Sequence, residues 1–170
     1  LFLDRGAVRW IGYNKGVFVE MFRGFRRRVQ ALLVADAEPL FQAAIVYQDT
    51  HRYEEAMTKL KRVIKINPNY PRTHYNIGKT AFLMGNLEGA MAEVKEEKKL
   101  NPNVADSFIL AAEIAAAKRQ FSECATEYSF AMKLRPQGAE IYVKAAQCYR
   151  QSGSVEIAED MLGLAEKRES

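Results

Sequence analysis

The sequence predicts an all-α fold, specifically an α-solenoid of stacked antiparallel helix pairs, and a fixed repeat period carries this prediction. Three prolines, Pro68, Pro102 and Pro136, follow one another at intervals of 34 residues. At the same period, small residues share one column of the aligned chain, namely Ala44, Gly78, Ala112 and Ala146. Bulkier apolar residues share another, namely Leu60, Val94, Tyr128 and Leu162. A constant period of this length is typical of repeated helix pairs that bury a continuous core only by stacking.

These columns resemble the tetratricopeptide repeat (TPR) family over residues 37–170. The resemblance divides the chain into three full repeats (37–70, 71–104 and 105–138) and a shorter fourth (139–170). Small residues occupy the eighth and twentieth places of the repeats, and proline occupies the thirty-second place of the three full ones. Two residues depart from the family pattern: His74 in the bulky fourth column, and Glu97 where the family prefers alanine.

Each repeat is expected to contain two helices separated by a short turn. The first helices are predicted near 38–51, 72–85, 106–119 and 140–153, and the second near 54–67, 88–101, 122–135 and 156–168. Gly85-Asn86 and Gly153-Ser154 are expected to adopt the left-handed conformation that ends a helix. Prolines 68 and 102 stop the second helices because they cannot continue the hydrogen-bond ladder. Ser122 and Ser154 are expected to cap the two helices that follow them.

Residues 1–36 do not fit the repeat and form an apolar, basic leader. Two β-prone runs, 7–11 and 17–21, flank a plausible tight turn, so one interpretation is a hairpin and the other is an irregular apolar segment laid over the array. A helix is expected from about Phe22. The leader holds an excess of basic residues, while the repeats are neutral. Because the chain begins with Leu1, we expect a fragment or a processed chain.

Composition and cysteine usage limit the classes of protein that remain. No run approaches the roughly 20 apolar residues that a membrane-spanning helix needs. Cys124 and Cys148 fall in apolar columns and are interpreted as small, buried, unpaired core residues. Unpaired cysteines favour the cytoplasm or another reducing compartment.

Nothing in the sequence forms a catalytic constellation, so we expect a non-enzymatic protein without cofactor or metal. His51 and His74 are interpreted as surface or packing residues, since a metal site needs further ligands on the same face. The acid pairs Glu54-Glu55 and Glu96-Glu97 are expected on the surfaces of second helices. Salt bridges to nearby lysines explain them better than acid–base catalysis does.

The family resemblance implies a protein-binding adaptor whose first helices line a concave groove. The family's two-point carboxylate clamp is missing, because Phe41, Ile45, Ile109 and Glu113 stand at its places. An apolar strip flanked by basic residues is expected instead, suited to an apolar or amphipathic peptide segment. The predicted groove residues are Phe41, Ile45, Arg72, Tyr75, Lys79, Phe82, Ile109, Glu113, Val143, Gln147 and Arg150. The same columns place Gln48 in the groove and four acids at its rim, namely Glu38, Asp49, Asp106 and Glu113.

Two hypotheses concern the leader. It lies in its own groove or in that of a second copy, or it packs as a cap on the first helix; the sequence leaves both open. Self-association through the leader or the C-terminal helix is a further expectation. The alternative function is docking on anionic membrane or nucleic acid through a cluster of arginines, namely Arg23, Arg26, Arg27 and Arg28. Without a nucleic-acid motif, a solvated helix face is the commoner outcome for such a cluster.

Overall fold

The computed structural model describes residues 37–169, which form eight α-helices and no β-strand. The predicted leader hairpin, its helix and the arginine cluster lie outside the described residues. Each helix predicted for the repeats is present, and the helix ends that the described residues show lie within two residues of their expected positions. The helices are α1 (37–49), α2 (Tyr53–Ile66), α3 (Thr73–Leu83), α4 (Leu87–Leu100), α5 (Ala105–Ala117), α6 (Phe121–Leu134), α7 (Ala139–Gln151) and α8 (Val155–Glu169).

The core consists of clusters that each join consecutive helices. Ala44, Leu60 and Ile77 bring α1, α2 and α3 together. The next cluster joins α3, α4 and α5, and a third joins α5, α6 and α7. Because each pair packs only on its neighbours, the array is an α-solenoid, and the predicted fold class is confirmed.

A left-handed residue ends the turn region after each first helix, at the same place in all four repeats. These residues are His51 (φ 58°), Gly85 (φ 79°), Arg119 (φ 59°) and Gly153 (φ 90°). The prediction is confirmed for the two glycines. His51 and Arg119 adopt the same conformation despite their Cβ atoms. The turn therefore requires a left-handed residue in every repeat, whether or not that residue is glycine.

Two predictions about helix ends are wrong. Asn86 is not left-handed (φ −83°); its side chain instead caps α4 by accepting a hydrogen bond from the Gly89 N–H at 2.9 Å. Ser122 does not cap α6, because Gln120 stands at the N-cap and Ser122 lies inside the helix. Ser154 does lie immediately before α8.

Glu97 was expected on a helix surface, and this prediction is wrong, because the residue is only 1% exposed. Its carboxyl oxygens accept hydrogen bonds from the Tyr75 N–H at 3.2 Å and from the Asn101 side-chain amide at 2.8 Å. Helix α3 has no side-chain cap of its own, so Glu97 of α4 satisfies an N-terminal N–H that the helix cannot pair internally. The neighbouring acid, Glu96, is exposed and pairs with Lys99 as expected.

The two cysteines are paired, which corrects the prediction of free thiols. Cys124 of α6 and Cys148 of α7 form a disulfide across a Cα–Cα distance of 5.9 Å, and both are buried. The columns placed them correctly in the core but gave no information on their distance. The expectation of a cytoplasmic or other reducing compartment relied on free thiols, so the disulfide removes the evidence for it. No helix in residues 37–169 is long and apolar enough to cross a membrane.

Candidate functional site

The first helices of the four pairs lie side by side, and polar contacts between them establish this arrangement. Gln48 of α1 donates to the Asn76 carbonyl of α3 at 3.0 Å. Further along, α3 and α5 contact each other directly, and Lys144 of α7 donates to Glu113 of α5 at 2.5 Å. We call the surface formed by α1, α3, α5 and α7 the A-helix wall.

Gln48, which the sequence placed in the groove, is instead buried beneath the wall at 5% exposure. Its amide also donates to the Thr80 hydroxyl at 2.6 Å, and that hydroxyl donates to the Asn76 carbonyl at 2.7 Å. A buried amide is tolerated only when it is hydrogen-bonded, so this network fixes the position of α1 against α3.

The six apolar residues of the predicted strip are all partly buried. One side of each well-packed member contacts the core: Phe41 lies against the α1–α3 cluster, Phe82 against the α3–α5 cluster and Ile109 against the α5–α7 cluster. The rest of each side chain remains accessible. The full strip is Phe41, Ile45, Tyr75, Phe82, Ile109 and Val143. Partial exposure is compatible with a binding surface, and the binding role of these residues stays a prediction.

A charged bridge crosses the wall beside Tyr75. Arg72, which immediately precedes α3, donates to Asp106 of α5 at 2.8 Å. Arg135, which follows α6, donates to the other oxygen of the same carboxylate at 2.5 Å. The Arg72 guanidinium also lies 4.9 Å from the centre of the Tyr75 ring. Sequence reasoning missed Arg135, because it stands outside the columns that face the groove. Two arginines share one carboxylate here, so the cluster keeps one positive charge.

The charges near Tyr75 affect its hydroxyl. Burial raises the pKa of Tyr75 above its ordinary value, and the carboxylates of Asp106 and Glu113 raise it further, against the opposing effect of the two arginines. Tyr75 therefore stays a neutral hydrogen-bonding group on the wall over the physiological range.

Three of the four acids expected to form the rim are already paired, and the fourth, Asp49, is exposed without an ion-pair partner in the part of the chain that the structure describes. Asp106 and Glu113 hold the ion pairs described above, and Glu38 accepts a hydrogen bond from the Tyr70 hydroxyl. That bond, helped by Gln42, lowers the pKa of Glu38. The rim therefore offers less free negative charge to a basic leader than the sequence suggested.

Two predicted basic groove residues, Lys79 and Arg150, have no ion-pair partner within residues 37–169. Arg150 and the neutral Gln147 are exposed, and Lys79 is partly so. Unlike Arg72 and Glu113, these side chains are available to an incoming ligand without breaking an existing bond.

The histidines lie apart from each other in packing contacts. His74 contacts Glu93 at 2.8 Å, and His51 contacts the Tyr53 hydroxyl at 2.7 Å. Among the described residues, no group of three or more His, Cys, Asp and Glu side chains is arranged to hold a metal ion.

Comparison with known proteins identifies the class of this array. A family model described as TPR repeat matches residues 46–85. The chain is similar to a crystal structure of MamA (TM-score 0.75, 19% identity, 94% of this chain and 96% of that one). It is also similar to MamA, residue 41 to the end, from Desulfovibrio magneticus RS-1 (TM-score 0.73, 17% identity, 94% and 97%). A search of curated proteins finds no match.

A third solved structure is itself described as containing the same repeat. This is TTC0263, a thermophilic TPR protein in Thermus thermophilus (TM-score 0.66, 18% identity, 76% of this chain and 72% of that one). Together with the match over residues 46–85, it confirms the resemblance to the TPR family. Solenoids of this kind typically serve protein–protein interaction through their extended surfaces.

Proposed function

We propose that this protein is a non-enzymatic adaptor that binds an apolar or amphipathic segment of another protein along the A-helix wall. The observation that carries the proposal is the apolar strip: all six members are partly exposed, and four of them, Phe41, Tyr75, Phe82 and Ile109, also pack against core clusters. Partly exposed aromatic and aliphatic side chains held by a rigid core are good anchors, because binding immobilises little that is not already ordered.

The dimensions of the wall indicate the length of the ligand. Neighbouring packed helices lie about 8–10 Å apart, so four of them span on the order of 30 Å. A helix of about 20 residues has the same length. An extended segment of about nine residues would also cover the strip.

The charges at the centre of the wall indicate the ligand's polar side. Lys79 and Arg150 are unpaired within residues 37–169, whereas the central acids Asp106 and Glu113 are engaged in ion pairs. Unpaired acids, Asp49 and Glu140, lie on the outer helices α1 and α7. An amphipathic segment with an apolar face and acidic flanks would therefore complement the wall. A basic segment would have to compete with arginines and lysines already in place.

Affinity capture with matched variants tests the proposal. The bait is the full chain, compared with Tyr75→Ala plus Phe82→Ala on the wall. The control, Phe130→Ala plus Leu134→Ala, removes apolar side chains of α6 that are 44% and 38% exposed. We expect the wall variant to lose a specific protein that the control retains, with both variants folded by circular dichroism. Equal retention by the two variants would refute the proposal.

Occupation of the wall by the leader is a finer proposal. Removing residues 1–28 should then strengthen binding of apolar helical peptides to the wall, because a competing segment is lost. Unchanged affinity would show that the leader does not occupy it. The predicted self-association through α8 can be checked on the same samples by sedimentation; Val155 and Ile157, which are exposed there, are the residues to replace.

A further inference from the structure

The second helices of the pairs, α2, α4, α6 and α8, point in the same direction, because each follows an antiparallel partner. Two contacts join neighbouring second helices. Lys98 of α4 donates to both carboxylate oxygens of Glu127 of α6 at 2.7 Å. Arg168 of α8 donates to the Pro136 carbonyl just beyond α6 at 2.5 Å. The C-terminal halves of these helices therefore lie at one end of the stack.

This alignment brings basic residues of the second helices together at one end of the stack. A lysine stands in the last turn of every second helix, at the constant interval of 34 residues: Lys65, Lys99, Lys133 and Lys167. Three more exposed basic residues occupy the preceding turns of α2 and α4, namely Lys61, Arg62 and Lys95. We call these seven residues the basic band. The first turns of the same helices are acidic, with Glu54, Glu55, Glu88, Glu123 and Glu156.

Most of this charge is not neutralised locally. Lys61, Arg62, Lys65 and Lys95 have no ion-pair partner within residues 37–169. Lys99 pairs with Glu96 three residues earlier, but both are largely exposed, and such surface pairs are weak. Favourable interaction with the helix macrodipole accounts for a lysine at each helix end. The macrodipole does not account for the large apolar side chains that lie exposed between the lysines.

Large apolar side chains are exposed within the band. Leu100 is 49% exposed, Leu134 is 38% exposed, and each directly follows a lysine of the repeating column. Phe130 is 44% exposed, and the Lys133 ammonium lies 5.2 Å from the centre of its ring. An exposed surface that alternates lysine with leucine and phenylalanine matches the interface of an anionic bilayer, where headgroups are charged and the layer below is apolar.

We propose that the basic band docks on an anionic lipid bilayer, with its lysines among the headgroups and Leu100, Phe130 and Leu134 at the boundary with the acyl chains. Nucleic acid would use the lysines but gain little from aliphatic leucines, whereas lipid uses both. Docking through the second helices leaves the A-helix wall free, so the protein could hold a partner at a membrane surface.

Vesicle sedimentation with the full chain tests this. The probes are phosphatidylcholine vesicles with and without phosphatidylserine. Since each surface lysine contributes roughly fivefold, the variant Lys65→Gln, Lys99→Gln, Lys133→Gln should bind the anionic vesicles about a hundredfold more weakly. The control, Lys59→Gln, Lys118→Gln, Arg119→Gln, has the same charge change outside the band and should retain binding. Leu100→Ser plus Leu134→Ser should weaken binding about tenfold without changing charge.

Several outcomes would overturn the proposal. Equal loss in the band and control variants would mean that only net charge matters, and equal binding to neutral vesicles would remove the role of charge. Loss of binding only when the four leader arginines are replaced would assign docking to the leader. Binding of RNA or DNA without binding of vesicles would exclude lipid as the ligand. The wall variant Tyr75→Ala plus Phe82→Ala should still bind vesicles, so failure of adaptor function and failure of lipid docking are distinguishable.

Discussion

Replacing Glu97 should destabilise the protein far more than replacing its neighbour Glu96. Glu97 is almost completely buried and accepts two hydrogen bonds, one of them from the backbone of Tyr75 at the start of α3. Glu97→Ala leaves a buried N–H without a partner and opens a cavity, which together should lower the free energy of unfolding by about 3 kcal/mol. Glu97→Gln keeps an oxygen acceptor of the same size and should cost only about 1 kcal/mol.

Urea denaturation followed by circular dichroism measures these differences. Glu96→Ala is the matched control: the same truncation one residue earlier, at an exposed ion pair, should change stability by less than about 0.5 kcal/mol. Hydrogen exchange adds a local readout, because the Tyr75 amide should lose protection in Glu97→Ala. If Glu97→Ala and Glu96→Ala have the same stability, the carboxyl of α4 does not cap α3, and the explanation of this departure from the repeat pattern is wrong.

Three further predictions concern the turns, the disulfide and a buried tyrosine. Reduction of the Cys124–Cys148 bond, whose sequence separation is 24, should lower the free energy of unfolding by about 3 kcal/mol; a Cys124→Ala, Cys148→Ala variant should show no response to reductant, and thiol alkylation without reduction would contradict the pairing. Arg119→Gly removes a left-handed Cβ and should stabilise by about 0.5 kcal/mol, whereas Lys118→Gly, with φ −80°, should destabilise in the same urea assay. Burial and a carboxylate partner raise the pKa of Tyr70 to about 12, so its contribution is present below pH 10 and is lost as pH rises towards 12; the stability difference from Tyr70→Phe should shrink over that range, and a constant difference would contradict the shift.

The fold was predictable because the same pattern of small, bulky and helix-ending residues recurs in four repeats. Small residues such as Gly78 and Ala112 recur wherever two helices approach closely, and prolines recur where second helices end. An unusual residue in one repeat changes the predicted bounds little, because the other three repeats show the same pattern. The helix ends that the structure describes therefore fall within two residues of the prediction. The helix caps carry no such redundancy, and Asn86 and Ser122 were assigned wrongly.

The candidate site was predictable only in its apolar part. Columns show which residues face the same side, but not which side chains meet between repeats. Arg135 and Lys144 bind wall carboxylates from places outside the groove columns, so no column could reveal them. Gln48 stands in a groove column, yet hydrogen-bonding partners on α3 hold it beneath the surface. Glu97 is the opposite case, because it is a charged residue in a core column. It is buried there because Tyr75 and Asn101 hydrogen-bond to its carboxylate.

Site-specific photocrosslinking tests the central claim most directly, namely that the A-helix wall is the surface that contacts another protein. The photoreactive amino acid p-benzoylphenylalanine replaces Phe82 on the wall in one variant and Phe130 on α6 in the other. We predict that the captured partner crosslinks at position 82 and not at position 130. A partner that crosslinks at position 130 alone would contradict the proposal and place the protein-binding surface on the second helices.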